Sequence, residues 1–241
     1  MRELSVELQK EKRTGIIPLM LVVGILGAVY AFLNFAVRKN TLLSLPLAPM
    51  DILLTQIYGM LAILNMFGII LAACIIYSME FKGSAVKKMY MLPVSVPTMY
   101  FCKFLILVFT FLFTIVLQYA AFYKIGISDL PTGSFERGTL LYFAGYSFLT
   151  SLPVLSFMLL AASRFENIWI SLGIGVGGFL SGIVFASSNT KWLCIHPFVT
   201  MFQPAIAMSA KPDMTVAIIA VSETLILLSA GLWAAKNLSY E

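Results

Sequence analysis

Residues 15–37 read GIIPLMLVVGILGAVYAFLNFAV, a run of 23 residues that contains no charged side chain. At about 1.5 Å of rise per residue, a helix of this length crosses the roughly 30 Å hydrocarbon core of a bilayer. The run exceeds the roughly 7–15 apolar residues of a cleaved signal peptide, and a clear small-residue cleavage site is missing. We therefore predict a retained transmembrane helix.

Five further apolar runs have the same character. Their approximate bounds are 52–79, 104–123, 138–163, 167–187 and 214–235. The runs are continuous, whereas the strands of a membrane barrel alternate polar and apolar side chains over about 10 residues. The sequence thus predicts an all-α membrane protein with six transmembrane helices in a single domain over residues 1–241.

The composition supports the same class. The chain of 241 residues is 60% hydrophobic and 11% charged, with a mean hydropathy of +0.95. A soluble fold of this size has too little interior for so much apolar surface, which excludes the usual soluble enzymes as well as disordered and fibrous chains. Six spans put both termini on one side, and that side carries more of the Lys and Arg. The positive-inside rule therefore predicts cytoplasmic termini, and it explains the net charge of +5 without nucleic acid.

The first 14 residues are short and charged. Leu4 and Leu8 share one helical face, and Glu3, Glu7 and Glu11 form a neighbouring stripe. We predict a short amphipathic helix at the cytoplasmic membrane surface. A solvated leader that only helps to orient the chain is the alternative.

The loop over residues 80–103 connects the second and third runs. A basic, mildly apolar piece of about two turns ends at two prolines, which predicts a short cytoplasmic helix. Val86, Met89 and Tyr90 lie at positions i, i+3 and i+4 and share a face that fits a groove in a partner protein. The alternative is an ordinary positive loop with an interfacial tyrosine.

The segment 188–213 before the last run is too apolar for a solvated loop. Its prolines also break it too often for a seventh span. We predict re-entrant or interfacial half-helices on the outer face, where irregular backbone is tolerated under a cover of protein.

Glu223 is a carboxylate near the middle of the sixth run. An acidic side chain at this depth costs about 2.5–3.5 kcal/mol on insertion scales unless it is paired, protonated or hydrated. One interpretation is a substrate contact, gate or proton site, and the other is a protonated glutamate that bonds to a neighbouring helix. Asn65 and Gln118, in the second and third runs, are predicted to hydrogen-bond across helices.

Glycines in the fifth run form two small-xxx-small pairs. The pairs are Gly173 with Gly177 and Gly178 with Gly182. Such pairs let helices approach closely, which favours a helix–helix interface between subunits. The alternative is the general tolerance of membrane helices for glycine.

No motif for catalysis or metal binding is found in the sequence. It has no phosphate-binding Gly-x-x-x-x-Gly-Lys-Ser/Thr loop, no His-Glu-x-x-His zinc motif and no nucleophile paired with a base. The three cysteines fit no metal spacing, and His196 is the only histidine. We predict a chain that is not an enzyme and that binds no metal or cofactor itself.

The second loop resembles the pattern that type-2 ABC exporter permeases show between their second and third helices. The residues that carry the resemblance are Glu80, Gly83, Leu92, Pro93, Ser95 and Lys103. The layout is similar over nearly the whole chain, with an amphipathic N-terminus, six spans and a broken apolar segment before the sixth. In length and in the overall character of its sequence, the chain resembles the permeases that protect bacteria from lantibiotics.

This resemblance implies a bacterial cytoplasmic-membrane permease with an N-terminal elbow helix. Residues 84–91 or so would form a coupling helix in a groove of a separate ATPase, which would bind the ATP and Mg²⁺. The implied ATPase contact comprises Glu80, Gly83, Val86, Met89, Tyr90, Leu92 and Pro93. A second permease chain, identical or paralogous, would meet this one through the first and fifth helices. The implied substrate is an antimicrobial peptide expelled from the membrane.

Other functions stay open at this point. Within the same superfamily, the substrate class includes drugs, lipids and glycans. A second class of function is an ion-coupled carrier that uses Glu223. A third class is a sensor or scaffold subunit that transports no substrate.

Overall fold

A computed structural model of the chain describes residues 2–11, 14–81, 95–131, 133–186 and 195–236, with the backbone alone for residues 2–6. Within these ranges every regular element is helical. The helices are α1 (Arg2–Glu11), α2 (Ile16–Leu43), α3 (Pro49–Phe81, with a π-helical turn at Ile52–Gln56), α4 (Val96–Asp129), α5 (Arg137–Ala162), α6 (Ile168–Ala186), α7 (Pro197–Ile206) and α8 (Met214–Lys236). Six of them, α2 to α6 and α8, are long and apolar enough to cross a bilayer, which confirms the predicted fold class.

Helices α2 and α4 extend furthest beyond the apolar runs that predicted them. The prediction ended the first span at residue 37 and began the third at residue 104, but α2 continues to Leu43 and α4 begins at Val96. At the other end of α4, the Lys39 ammonium lies 2.7 Å from the Asp129 carboxylate. Hydropathy marks where a helix leaves the hydrocarbon core and carries no information on where its hydrogen bonding ends.

Small residues bring α2 and α4 close together. A Cβ added at Gly24 would contact Leu117, and one added at Gly27 would fall within 3 Å of the Gln118 amide. The Thr114 hydroxyl donates to the carbonyl oxygen of Met20 at 2.9 Å. Close backbone approach of this kind supplies the dispersion contacts that hold helices together in lipid, where water no longer drives apolar surfaces together.

The helices differ in how much protein covers them. Helices α3 and α5 are the most buried, whereas α6 and α8 turn most of their side chains outward. Large apolar side chains such as Trp169, Leu180 and Ile226 are more than half exposed. In a membrane these surfaces face lipid or another chain.

Helix α7 is a 10-residue helix packed against α5, α6 and α8. Phe198 and Met201 on it are buried, as is the Thr200 hydroxyl group. It forms part of the segment predicted as re-entrant. Residues 188–194 of that segment lie outside the described ranges, and its depth in the membrane stays a prediction.

Candidate functional site

Lys103 is an almost fully buried cation, with 1% of its surface exposed, and it lies in the first turns of α4. Its Nζ lies 2.9 Å from Glu80 at the end of α3. The same nitrogen lies 3.1 Å from Glu7 and 3.4 Å from Glu11, both on α1. We call these four residues the Lys103 cluster. It ties the N-terminal helix to two spanning helices at one end of the bundle.

Three neighbouring side chains also contact the Lys103 cluster. Lys10 donates to Glu7 at 2.6 Å, and the Thr14 hydroxyl donates to Glu11 at 2.8 Å. The ring of Tyr77 has its centroid 5.6 Å from the Lys103 nitrogen, within the range of a cation–π contact. A buried ammonium is stable only when paired and hydrogen-bonded, and here it has three carboxylates.

The pKa values of the two glutamates of α1 are shifted in opposite directions. Burial raises the pKa of Glu7, but the charges and hydrogen bonds of Lys103 and Lys10 outweigh it and leave that pKa lowered. Burial dominates at Glu11 and raises its pKa, although Lys103 and the Thr14 hydroxyl act against this rise. Because Glu7 has a second cation beside it, its negative charge is stabilised more than that of Glu11.

The Lys103 cluster lies at the base of the loop predicted to contact an ATPase. Glu80 and Lys103 are the first and last residues of the predicted loop, and they lie on α3 and α4, so their ion pair joins the two helices that the loop connects. Of the seven residues assigned to the ATPase contact, the structure describes Glu80 alone. The other six, Gly83, Val86, Met89, Tyr90, Leu92 and Pro93, lie outside the described residues. Their role stays a prediction.

The sequence prediction did not include the cluster, because it used Lys103 only as part of the loop pattern and as one of the cytoplasmic cations. It also treated the glutamate stripe of α1 as a polar face, although Glu7 and Glu11 turn toward the protein and Leu8 is 40% exposed. The available signal was the spacing of Glu7 and Glu11, which places two carboxylates on one helical face. Nothing in the sequence alone pairs that face with a lysine more than 90 positions away.

Glu223 lies on α8 with 9% of its surface exposed, and it faces α7. The Thr200 hydroxyl of α7 donates to its carboxylate at 3.3 Å. Among the residues that the structure describes, no cation pairs with Glu223. The carboxylate thus bonds to the short helix before the last span. Its functional assignment as substrate contact or gate stays a prediction.

The four glycines assigned to a subunit interface fall into two pairs. A Cβ at Gly178 or Gly182 would collide with Phe198 of α7, so these two glycines already serve a contact within the chain. Within the described part of the chain, no atom lies within 4 Å of such a Cβ at Gly173 or Gly177. Open space at this pair is what a contact with a second chain would require, and that contact stays a prediction.

Asn65 and Gln118 form the bond across helices that the sequence predicted. The Asn65 amide donates to Gln118 at 3.0 Å and the Gln118 amide donates back at 2.7 Å, with both side chains buried. A second polar contact, between the Tyr119 and Ser147 hydroxyls at 2.8 Å, joins α4 to α5 and was not predicted. Both contacts satisfy polar groups that would otherwise meet hydrocarbon.

The acidic residues at the opposite end of the bundle all have local partners. Asp129 pairs with Lys39, and Asp51 accepts the backbone N–H of Ala210 at 2.7 Å. Asp213 accepts the N–H of Thr215, and Glu136 accepts the Thr139 hydroxyl. Each of these carboxylates thus has a hydrogen bond or an ion pair of its own.

Comparison with known families gives one result that bears on function. A family model described as "ABC-2 family transporter protein" matches residues 3–182, well over half of the chain. The chain belongs to the ABC-2 transporter family. The match includes all four residues of the Lys103 cluster and ends within α6, before Glu223. Comparison with curated proteins gives no match.

Membership makes this ABC-2 chain a multi-pass membrane protein and a membrane component of a transporter. Such a component works as a permease subunit, and the family implies association with an ABC ATPase. Within the described ranges, no group of three potential ligands is arranged to hold a metal ion.

Proposed function

We propose that this ABC-2 chain is the permease subunit of an ATP-driven exporter in the bacterial cytoplasmic membrane, with both termini in the cytoplasm. The family match over residues 3–182, together with six apolar helices, carries the proposal. A separate ATPase chain supplies ATP and Mg²⁺, and a second permease chain completes the transporter. ATP-driven closure of the ATPase pair shifts the permeases between states that differ in affinity for the substrate.

The Lys103 cluster supports a route for this coupling. A force on the loop over residues 82–94 acts on α3 and α4, because the loop joins them. The Glu80–Lys103 ion pair links those two helices, and the bonds to Glu7 and Glu11 extend the link to α1. A charged cluster with a buried centre resists gradual distortion, so the three helices move as one unit.

The proposed substrate is an antimicrobial peptide of the lantibiotic class, expelled from the membrane for self-protection. This part rests on the resemblance to lantibiotic-protection permeases. The carboxylates at the end of the bundle away from α1 have local partners, so a cationic peptide would be recognised mainly through apolar contacts.

Deletion of the chain from its host tests the substrate class. We expect the deletion strain to become sensitive to a lantibiotic while its sensitivity to small cationic drugs is unchanged. Complementation with the wild-type chain should restore resistance. Unchanged peptide sensitivity, together with lost export of a drug, lipid or glycan, would contradict the peptide assignment and leave the exporter proposal standing.

A second candidate is an ion-coupled carrier that uses Glu223. The observation that favours it is a buried carboxylate bonded to a single hydroxyl among the described residues. Transport assays in energised vesicles separate the two functions. Transport that needs ATP and survives a collapsed proton gradient supports the exporter. Transport that survives ATP removal, and is lost with Glu223→Gln, supports the carrier.

A further inference from the structure

A groove opens between the ends of α5 and α8 that lie on the same side of the bundle as α1. Its volume is about 330 Å³. The side chains that shape it are Phe157, Leu160, Arg164, Ala230, Trp233 and Ala234. Ala161 also lines the groove, so the lining combines three small alanines with larger apolar side chains. One cation, Arg164, completes the lining.

The groove lies where a spanning helix meets the membrane surface. Helix α5 ends at Ala162, two residues before Arg164, and Trp233 is in the last turn of α8. Trp233 is 68% exposed, and tryptophan is enriched at the level of the lipid headgroups. Because both helices cross the bilayer, the open side of the groove faces lipid.

We propose that this groove binds one anionic phospholipid. The Arg164 guanidinium takes the headgroup phosphate, and one acyl chain lies along Phe157, Leu160 and Ala230. A planar guanidinium donates two parallel hydrogen bonds to phosphate oxygens, and apolar walls match a hydrocarbon tail. A cation beside an apolar lining favours an anionic lipid over a soluble anion, because only the lipid has a hydrocarbon tail to bury.

The charges around the groove agree with this ligand. No acid forms an ion pair with Arg164 in the described ranges. Lys236 follows Trp233 by three positions on α8 and adds a second cation near the rim. Glu166, two positions after Arg164, is exposed and does not line the groove. The inference requires only that the six helices span a bilayer, so it is independent of the exported substrate.

Fluorescence of Trp233 reports on the bound lipid directly. The full chain with Trp169→Phe and Trp192→Phe keeps Trp233 as its single tryptophan. It is reconstituted in phosphatidylcholine bilayers that contain either dibrominated phosphatidylglycerol or dibrominated phosphatidylcholine, and bromine quenching gives the relative affinity. We expect phosphatidylglycerol to bind about tenfold more tightly, which corresponds to about 1.4 kcal/mol.

Arg164→Gln should abolish that preference. Arg38→Gln, which removes an exposed cation from the opposite end of the bundle, should retain it. Equal quenching by the two lipids, or loss of the preference with Arg38→Gln instead, would overturn the proposal.

A measurement that leaves Arg164 in place checks the same point. Raising the salt from 0.1 to 1 M shortens the Debye length from about 10 to about 3 Å and should weaken the preference. A preference unaffected by salt would also overturn it.

Discussion

Lys103 is a cation that the surrounding protein keeps from both water and lipid. Its ammonium is held by one carboxylate from α3 and two from α1. Three negative charges around one positive charge are stable only while the cation is present, because the carboxylates would otherwise repel one another at short range. The cluster therefore makes the position of α1 depend on the charge of a single side chain.

Replacing that side chain with an apolar one should be strongly destabilising. Lys103→Met retains most of the volume but leaves three buried carboxylates without their common partner. We expect a loss of about 3–5 kcal/mol in the free energy of unfolding. Chemical unfolding in mild detergent at neutral pH measures it.

Lys39→Met is the matched control for this variant. Lys39 also pairs with an acid, but both side chains of that pair are about 40% exposed. The expected loss is about 0–1 kcal/mol, because solvent screens such a pair. Equal losses from the two variants would mean that the Lys103 cluster contributes no more than a surface ion pair.

The two glutamates of α1 should respond differently to substitution. Because the pKa of Glu7 is lowered in the folded protein, its charge contributes stability at neutral pH. The raised pKa of Glu11 means that folding disfavours its charge. We expect Glu7→Gln to lower the apparent melting temperature at pH 7 and Glu11→Gln to leave it unchanged or raise it.

The pH dependence gives these variants a second test. The stability that the Glu7 charge contributes is full above its ordinary pKa and is lost as the pH falls through the lowered value. The penalty at Glu11 is full above its raised pKa, decreases as the pH falls through that value, and is gone below the ordinary pKa of a glutamate. The difference between the variants should therefore shrink in acid. A larger cost for Glu11→Gln at pH 7 would contradict the assigned directions.

At the scale of elements, α6 has two glycine pairs with different surroundings. Gly178 and Gly182 lie against Phe198 of α7, whereas Gly173 and Gly177 have open space beside them. Gly178→Ala should cost about 1–3 kcal/mol through overpacking, and a second change, Phe198→Leu, should recover part of the loss. Unfolding in detergent measures both.

Gly177→Leu tests the other pair. Among the residues that the structure describes, no atom lies within 4 Å of a Cβ added at this position, so we expect the stability of the single chain to be unchanged. If this face meets a second permease chain, the leucine should weaken that association, which cross-linking in membranes detects. Unchanged pairing of the chains would exclude Gly177 from the subunit interface, and a loss of single-chain stability would contradict the open surroundings of Gly177.

The sequence predicted the elements better than it predicted their contacts. Hydropathy identified all six spans because a bilayer demands long apolar runs, and it missed the extra turns of α2 and α4 because polar helix ends carry no such signal. Asn65 and Gln118 were each predicted to hydrogen-bond across helices, and the structure shows that they bond to each other. The Lys103 cluster joins side chains distant in sequence, which pattern alone does not connect.

At the scale of the whole molecule, α1, α3 and α4 meet at the end of the bundle where the loop over residues 82–94 begins and ends. The ABC-2 family match includes this region. We propose that the contact with an energy-supplying ATPase lies at this end. The other end holds α7 and the Asp51–Ala210 bond, which link the last loop to the rest of the bundle.

The most direct test is whether the loop binds an ATPase. Tagged wild-type chain and a variant with Val86→Asp, Met89→Asp and Tyr90→Asp are each expressed with the ABC ATPases of the host. A control variant has Met208→Asp and Met214→Asp, two exposed apolar positions at the opposite end of the bundle. All three chains are checked for membrane insertion, and the ATPase that copurifies is quantified. We expect equal insertion of the three chains, with wild-type amounts of ATPase on the control and almost none on the triple variant. Wild-type amounts of ATPase on the triple variant, or none on the wild-type chain, would contradict it.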